Sequence, residues 1–337
     1  MISRQGIALG LALPLASGVV LAQPPTYPRV NVATILVVDE KWPQKPAEFE
    51  WTEIHGVAVS SKDEVYAFTR GTPRVQVYDA ATGKFLRSWG EKAEFKLPHS
   101  IRIDHEDNVW LGDIALHTIQ KFSPDGELLL TLGTTGKAGR DKTHFNMPTD
   151  AFVDPRGGDI FVADGYANAR VVRFDKTGQY VGEWGELGSR PGQFSVPHSI
   201  CLDSKGRVYV ADRNNVRIQV FDQSGELIEV WNDLIVPMSL CATKEDEIWV
   251  CGSSPQHWMQ TDKIWLGSPP RDQLFLKFNT AGKVLQLWSP TRGFDRGLPG
   301  KDFKYHQIAV DGTGNLYGAD LSGKRVQKFV LVKGQGR

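Results

Sequence analysis

Three histidines, His99, His198 and His306, open three copies of one repeated segment, in HSIRI, HSICL and HQIAV. A lone histidine in a buried strand is ordinarily a hydrogen-bonded structural residue. Three imidazoles at equivalent places in a closed repeat can instead converge on its axis. Three histidine ligands with an open fourth position describe a catalytic zinc site. Arg70 and Arg213 share a second repeat position, directly after the second strand of their copies. Tyr166 lies one residue further along in another copy. A cationic arginine beside a metal suits a carboxylate substrate.

The elements that must position these groups follow from the repeat. Its copies open at His55, His99, Thr149, His198, Met238 and His306. Each carries a strand, an Asp/Gly turn, a second strand often ending in Ala-Asp or Gly-Asp, and a third with Gln-x-Phe character. A fourth strand usually ends near a tryptophan. Strand alternation over a repeat of about 40–50 residues is the signature of a β-propeller blade. The predicted fold is therefore all-β, a propeller of six blades. The last copy ends after its third strand, and Ala33–Asp39 reads as a lone strand that supplies the missing outer one and closes the ring. The first strand of a blade lines the central channel. His99, His198 and His306 then stand on blades two, four and six, related by threefold symmetry, and the two arginines and Tyr166 share their mouth of the channel. His55 breaks the alternation and is read as structural. His105, His117, His144 and His257 fall in turns or loops. The segment Ser253–Arg271, with Trp258 and Trp265, reads as a loop inserted in blade five.

With 39 basic and 39 acidic side chains, the chain offers no electrostatic case for nucleic acid or an anionic membrane. Residues 1–22 read as a secretory signal peptide, with Arg4 before an apolar run that ends at Val20-Leu21-Ala22. Residues 23–337 are then one propeller domain, exported to the periplasm or the medium. Cys241 and Cys251 could face each other across a hairpin, which would leave Cys201 as the odd one, buried; the sequence does not decide whether the pair is a disulfide.

The stretches LPHSI, FVADGYANARVV, RPGQFSVPHSI and VYVADRNNVRIQVF carry a closer likeness. The chain resembles the peptidylglycine α-amidating lyase family, six-bladed propellers of NHL-type repeats. The resemblance is densest from Leu97 to Val230. It implies zinc on His99, His198 and His306, Tyr166 as catalytic tyrosine, Arg213 beside it, and Arg70 as a substrate-binding arginine. It also implies a structural calcium held by the carbonyls of Val57 and Ile101 and by the residue after the last histidine. That residue is an aspartate in the family and Gln307 here, and Lys304 stands where the family has a methionine near the metal. The family's lyase-domain cysteines are replaced by Asn146, Ala167, Tyr209 and Val220. The implied activity is a carbon–nitrogen lyase that cleaves a peptidyl-α-hydroxyglycine, or a similar α-hydroxy amide, to an amide and glyoxylate. A separate hydroxylating enzyme would supply that substrate.

Two other readings stand beside it. A non-catalytic NHL propeller would act as a secreted binding scaffold. A lactonase-like calcium hydrolase would want Glu, Asn and Asp around the channel, whereas this ring is mostly histidine.

Overall fold

The computed structural model describes residues 35–91, 93–233, 235–253, 273–289 and 304–332. The signal peptide and the inserted residues 254–271, with Trp258, Trp265 and His257, lie outside them.

The described residues form six antiparallel sheets of four strands. In five sheets the strands follow chain order outward from the channel. In the sixth the order from the rim is Ile35–Val38, Arg325–Val332, Leu316–Asp320, Tyr305–Val310. The early strand pairs from Ile35 against Val332 to Val38 against Phe329. The ring is thus closed by an N-terminal strand, as the missing fourth strand of the last repeat required, and closure removes a free edge.

The alternation read from the sequence reflects which faces meet a neighbour. Second strands such as Val208–Asp212 are buried throughout. Rim strands face a blade on one side and solvent on the other, so Leu128, Leu129 and Ile228 stay exposed. Each junction between blades has its own apolar cluster. Phe68, Trp89, Phe95 and Phe122 fill the junction of blades one and two. Phe161, Phe194 and Phe221, with Trp184 against them, fill that of blades three and four. Each buried ring contributes about 2–3 kcal/mol of apolar transfer.

One feature of the innermost strands decides what the channel presents. In Pro98–Ile103, Pro197–Leu202, Val236–Ala242, Tyr305–Val310 and Ile54–Val59 the pairing slips by one residue at the second or third position. The unpaired residues are His99, His198, Met238, His306 and His55. Such a bulge re-aims a side chain. It lets both His99 and Ser100, both His198 and Ser199, and both His306 and Gln307 line the channel, where strict alternation would give one of each pair.

Cys241 and Cys251 do not form a disulfide. All three cysteines are free thiols. The register sets Cys241 against Trp249 and Cys251 against Ser239, so the two sulfurs are offset along the hairpin instead of opposed. Cys201 is buried, as expected.

Candidate metal centre

His99, His198 and His306 are buried, and their ligand nitrogens all lie within 4.8 Å of one another. Their orientation comes from the blades between them. The Nδ1–H of His99 donates to the Thr149 carbonyl at 2.6 Å, that of His198 to the Met238 carbonyl at 2.7 Å, and that of His306 to the His55 carbonyl at 2.7 Å. A carbonyl only accepts, so each bond fixes the proton on Nδ1 and turns the Nε2 lone pair to the axis. Blades one, three and five therefore orient the three imidazoles through backbone oxygen. That is why their openings can be His55, Thr149 and Met238, three side chains with nothing in common. His55 is a structural residue in this sense, and its ring nitrogens are not among those that converge with His99, His198 and His306.

The arrangement calls for a cation. Nε2 of His306 faces Nε2 of His99 at 3.2 Å. With both protons committed to carbonyls, two lone pairs oppose each other. Protonation does not relieve them. Burial, helped by the charges of His55, Arg70 and Arg213, holds His99 down to about 3. Burial and neighbouring imidazoles hold His198 and His306 well below the usual histidine range. Three neutral imidazoles with convergent lone pairs are a donor set that can hold a metal ion.

Tyr166 closes over this set. Its hydroxyl lies 3.0 Å from Nε2 of His99 and 3.1 Å from Nε2 of His198. The loop carrying it packs hard on the strand of His198, and a Cβ at Gly165 would lie 1.9 Å from the Pro197 carbonyl oxygen. Only glycine permits that approach. The Arg213 guanidinium stands over the Tyr166 ring at 5.5 Å. Burial pushes Tyr166 above the ordinary tyrosine value, and Arg213 and Arg70 pull it back. Arg70 reaches the same mouth, bonded weakly to the Pro98 carbonyl at 3.4 Å and paired with Glu53.

The loops that carry Tyr166 and Arg213 hang on the aspartates of the Ala-Asp strand ends. Buried Asp164 accepts from the Asn146 amide at 2.9 Å, from the Asn168 side chain at 2.7 Å and from Arg170 at 2.9 Å. Asp212 does the same with Ser195, Asn215 and Arg217. Asp164→Asn leaves the fully buried Arg170 guanidinium with reduced compensation. It is expected to cost about 3 kcal/mol of unfolding free energy, read from urea denaturation.

Comparison with known proteins places this geometry. The NHL repeat model matches residues 194–221. NHL repeat-containing protein 3 of Homo sapiens is 32% identical over 311 residues, covering 87% of this chain and 83% of that protein. Peptidyl-alpha-hydroxyglycine alpha-amidating lyase 1 of Drosophila melanogaster is 30% identical over 278 residues, 75% of this chain and 48% of that one. Peptidyl-glycine alpha-amidating monooxygenase B of Xenopus laevis is 35% identical over 271 residues, 78% of this chain and 29% of that one. The chain belongs to the NHL-repeat propeller family that includes NHL repeat-containing protein 3, and it is similar over most of its length to the peptidyl-α-hydroxyglycine α-amidating lyases. It spans roughly three tenths of the length of the amidating monooxygenases it matches. A solved structure titled Streptogramin B lyase, 14% identical with a TM-score of 0.56, covers 89% of this chain and 98% of its own; that likeness is one of fold alone.

Not every residue that the family resemblance singles out falls into place. The oxygens assigned to calcium do not form a cage for it. Calcium takes six to eight oxygens, carboxylates prominent among them. Here the Gln307 amide turns its nitrogen, not its oxygen, to the Ile101 carbonyl, at 2.5 Å, and its oxygen accepts from the Ile101 N–H at 3.2 Å. Gln307 also brings no negative charge to the position where the family has an aspartate. Lys304 is exposed and held by its backbone, its N–H donating to Asp320 at 3.0 Å. Sequence reasoning missed Glu53, two residues ahead of a blade opening. It also missed Arg102, whose signal was a charge between two buried or half-buried isoleucines of an inner strand.

Proposed function

We propose that this chain is a zinc-dependent carbon–nitrogen lyase, cleaving a peptidyl-α-hydroxyglycine or a similar α-hydroxy amide to the amide and glyoxylate. One observation carries the reading most of the way: three imidazole Nε2 atoms, fixed by backbone carbonyls, converge under a tyrosine hydroxyl. The 3.2 Å between His306 and His99 Nε2 suits tetrahedral zinc, whose bonds of about 2.0–2.1 Å set nitrogens about 3.3 Å apart. The names of the amidating relatives give the substrate class.

A bound zinc would supply Lewis-acid polarisation of the substrate hydroxyl and favour ionisation of a nearby phenol. The chain's own groups do the rest. Arg70 holds the substrate carboxylate at the channel mouth, and Arg213, over the Tyr166 ring, favours its ionised form. Tyr166 takes the hydroxyl proton. The carbon–oxygen bond becomes the carbonyl of glyoxylate as the carbon–nitrogen bond breaks, and the nitrogen leaves with the electron pair. The proton held at the Tyr166 oxygen then goes to that nitrogen, so no outside oxidant or acid is consumed. Arg70 starts the cycle paired with Glu53, so an incoming carboxylate competes with an internal one. The substrate reaches the chain from a separate hydroxylating activity, and the chain works outside the cytoplasm if its leader is removed as read.

The test is glyoxylate release from α-hydroxyhippurate, before and after chelation and with zinc restored. Release that chelation abolishes and zinc restores is expected. A folded, zinc-loaded protein that releases none removes the lyase reading. The secreted binding scaffold would then take its place, a reading favoured by the long match to NHL repeat-containing protein 3, whose name carries no activity.

A further inference from the structure

Directly below the histidines, the channel is tied by protein atoms. Arg102 is 9% exposed, and its guanidinium crosses from blade two to Asp150 of blade three, with Nε to Oδ1 at 3.0 Å, and to Ser199 Oγ of blade four at 2.9 Å. Ser199 Oγ donates to Asp150 at 2.8 Å and accepts from the Leu240 N–H of blade five at 3.0 Å. Ser239 Oγ of blade five accepts from Ile308 of blade six at 3.4 Å. Gln307 of blade six joins Ile101 of blade two through both its amide atoms. It passes over Gly56 of blade one, where a Cβ would come within 2.7 Å of its oxygen. The circuit is complete around the axis, and the one carboxylate in it is neutralised by a guanidinium.

We propose that the structural cation of this channel is the guanidinium of Arg102, and that the chain takes no calcium there. The charge argument is direct. A buried divalent ion needs anionic oxygen around it. Asp150 is the only acid lining this level among the described residues, and Arg102 already compensates it. Adding two positive charges beside a buried guanidinium would meet repulsion that burial leaves weakly screened. The exchange of a mobile ion for a covalently tethered one also makes the fold independent of calcium supply. The metal content is then one ion per chain, at the histidines.

The protein, zinc-loaded and dialysed into calcium-free buffer, is titrated with calcium chloride by isothermal calorimetry and melted with and without millimolar calcium. No saturable heat and an unmoved melting midpoint are expected. Arg102→Met keeps the length of the side chain and strands the Asp150 carboxylate. It is expected to lower the midpoint by on the order of 10 °C. Stoichiometric calcium binding that Gln307→Ala abolishes would overturn the proposal, and so would an Arg102→Met protein as heat-stable as the natural one. Neither readout depends on turnover, so the lyase reading stands or falls separately.

Discussion

Tyr166→Phe is expected to turn over α-hydroxyhippurate on the order of 10²–10⁴-fold more slowly while folding and binding metal as before. The substitution removes one oxygen, the atom 3.0 Å from His99 Nε2 and 3.1 Å from His198 Nε2. It keeps the ring, which touches His99 and His198 edge-on and lies under Arg213. Stability therefore changes little, and the loss belongs to the hydroxyl. Because the proton is taken only as the reaction proceeds, the effect should fall on kcat, with KM nearly unchanged. Steady-state kinetics with metal analysis of the same preparation separate the two. A variant with full kcat would remove Tyr166 from the chemistry.

His198→Ala should lose stoichiometric metal and with it at least about 10³-fold in turnover, since Lewis-acid stabilisation of this kind is worth several kcal/mol. The instructive control sits on the next blade. Met238 orients His198 through its carbonyl, so Met238→Leu is expected to keep one metal per chain. His55→Ser should keep it too, because His306 also relies on a backbone oxygen, that of His55. Metal loss in Met238→Leu would show that Met238 supports the site through its side chain as well as its carbonyl. Full metal content in His198→Ala would move the ion away from the three histidines.

Much of this molecule is legible from its residues in order, and the reason is its symmetry. A repeat that closes on itself turns linear spacing into angle. Once His99, His198 and His306 are known to open alternate copies, their meeting on the axis follows without any coordinates, and so does the need for a strand near Ile35–Val38 to complete the last sheet. The mouth they share with Arg70, Tyr166 and Arg213 follows from the same repeat position.

What the order of residues leaves open is decided by atoms of blades far apart in the chain. The bulges that let His99 and Ser100 face inward together depend on hydrogen-bond register, which alternation alone does not encode. The protonated nitrogen of each imidazole depends on a carbonyl some 40 residues or more away along the chain, as in His99 with Thr149. The pairing of Arg70 with Glu53, the offset of Cys241 from Cys251, and the turn of the Gln307 amide toward Ile101 depend on side-chain directions set by packing. Repetition fixes where a residue stands on the ring. Contacts of about 3 Å across the channel, where charge is poorly screened, settle what that residue can bind.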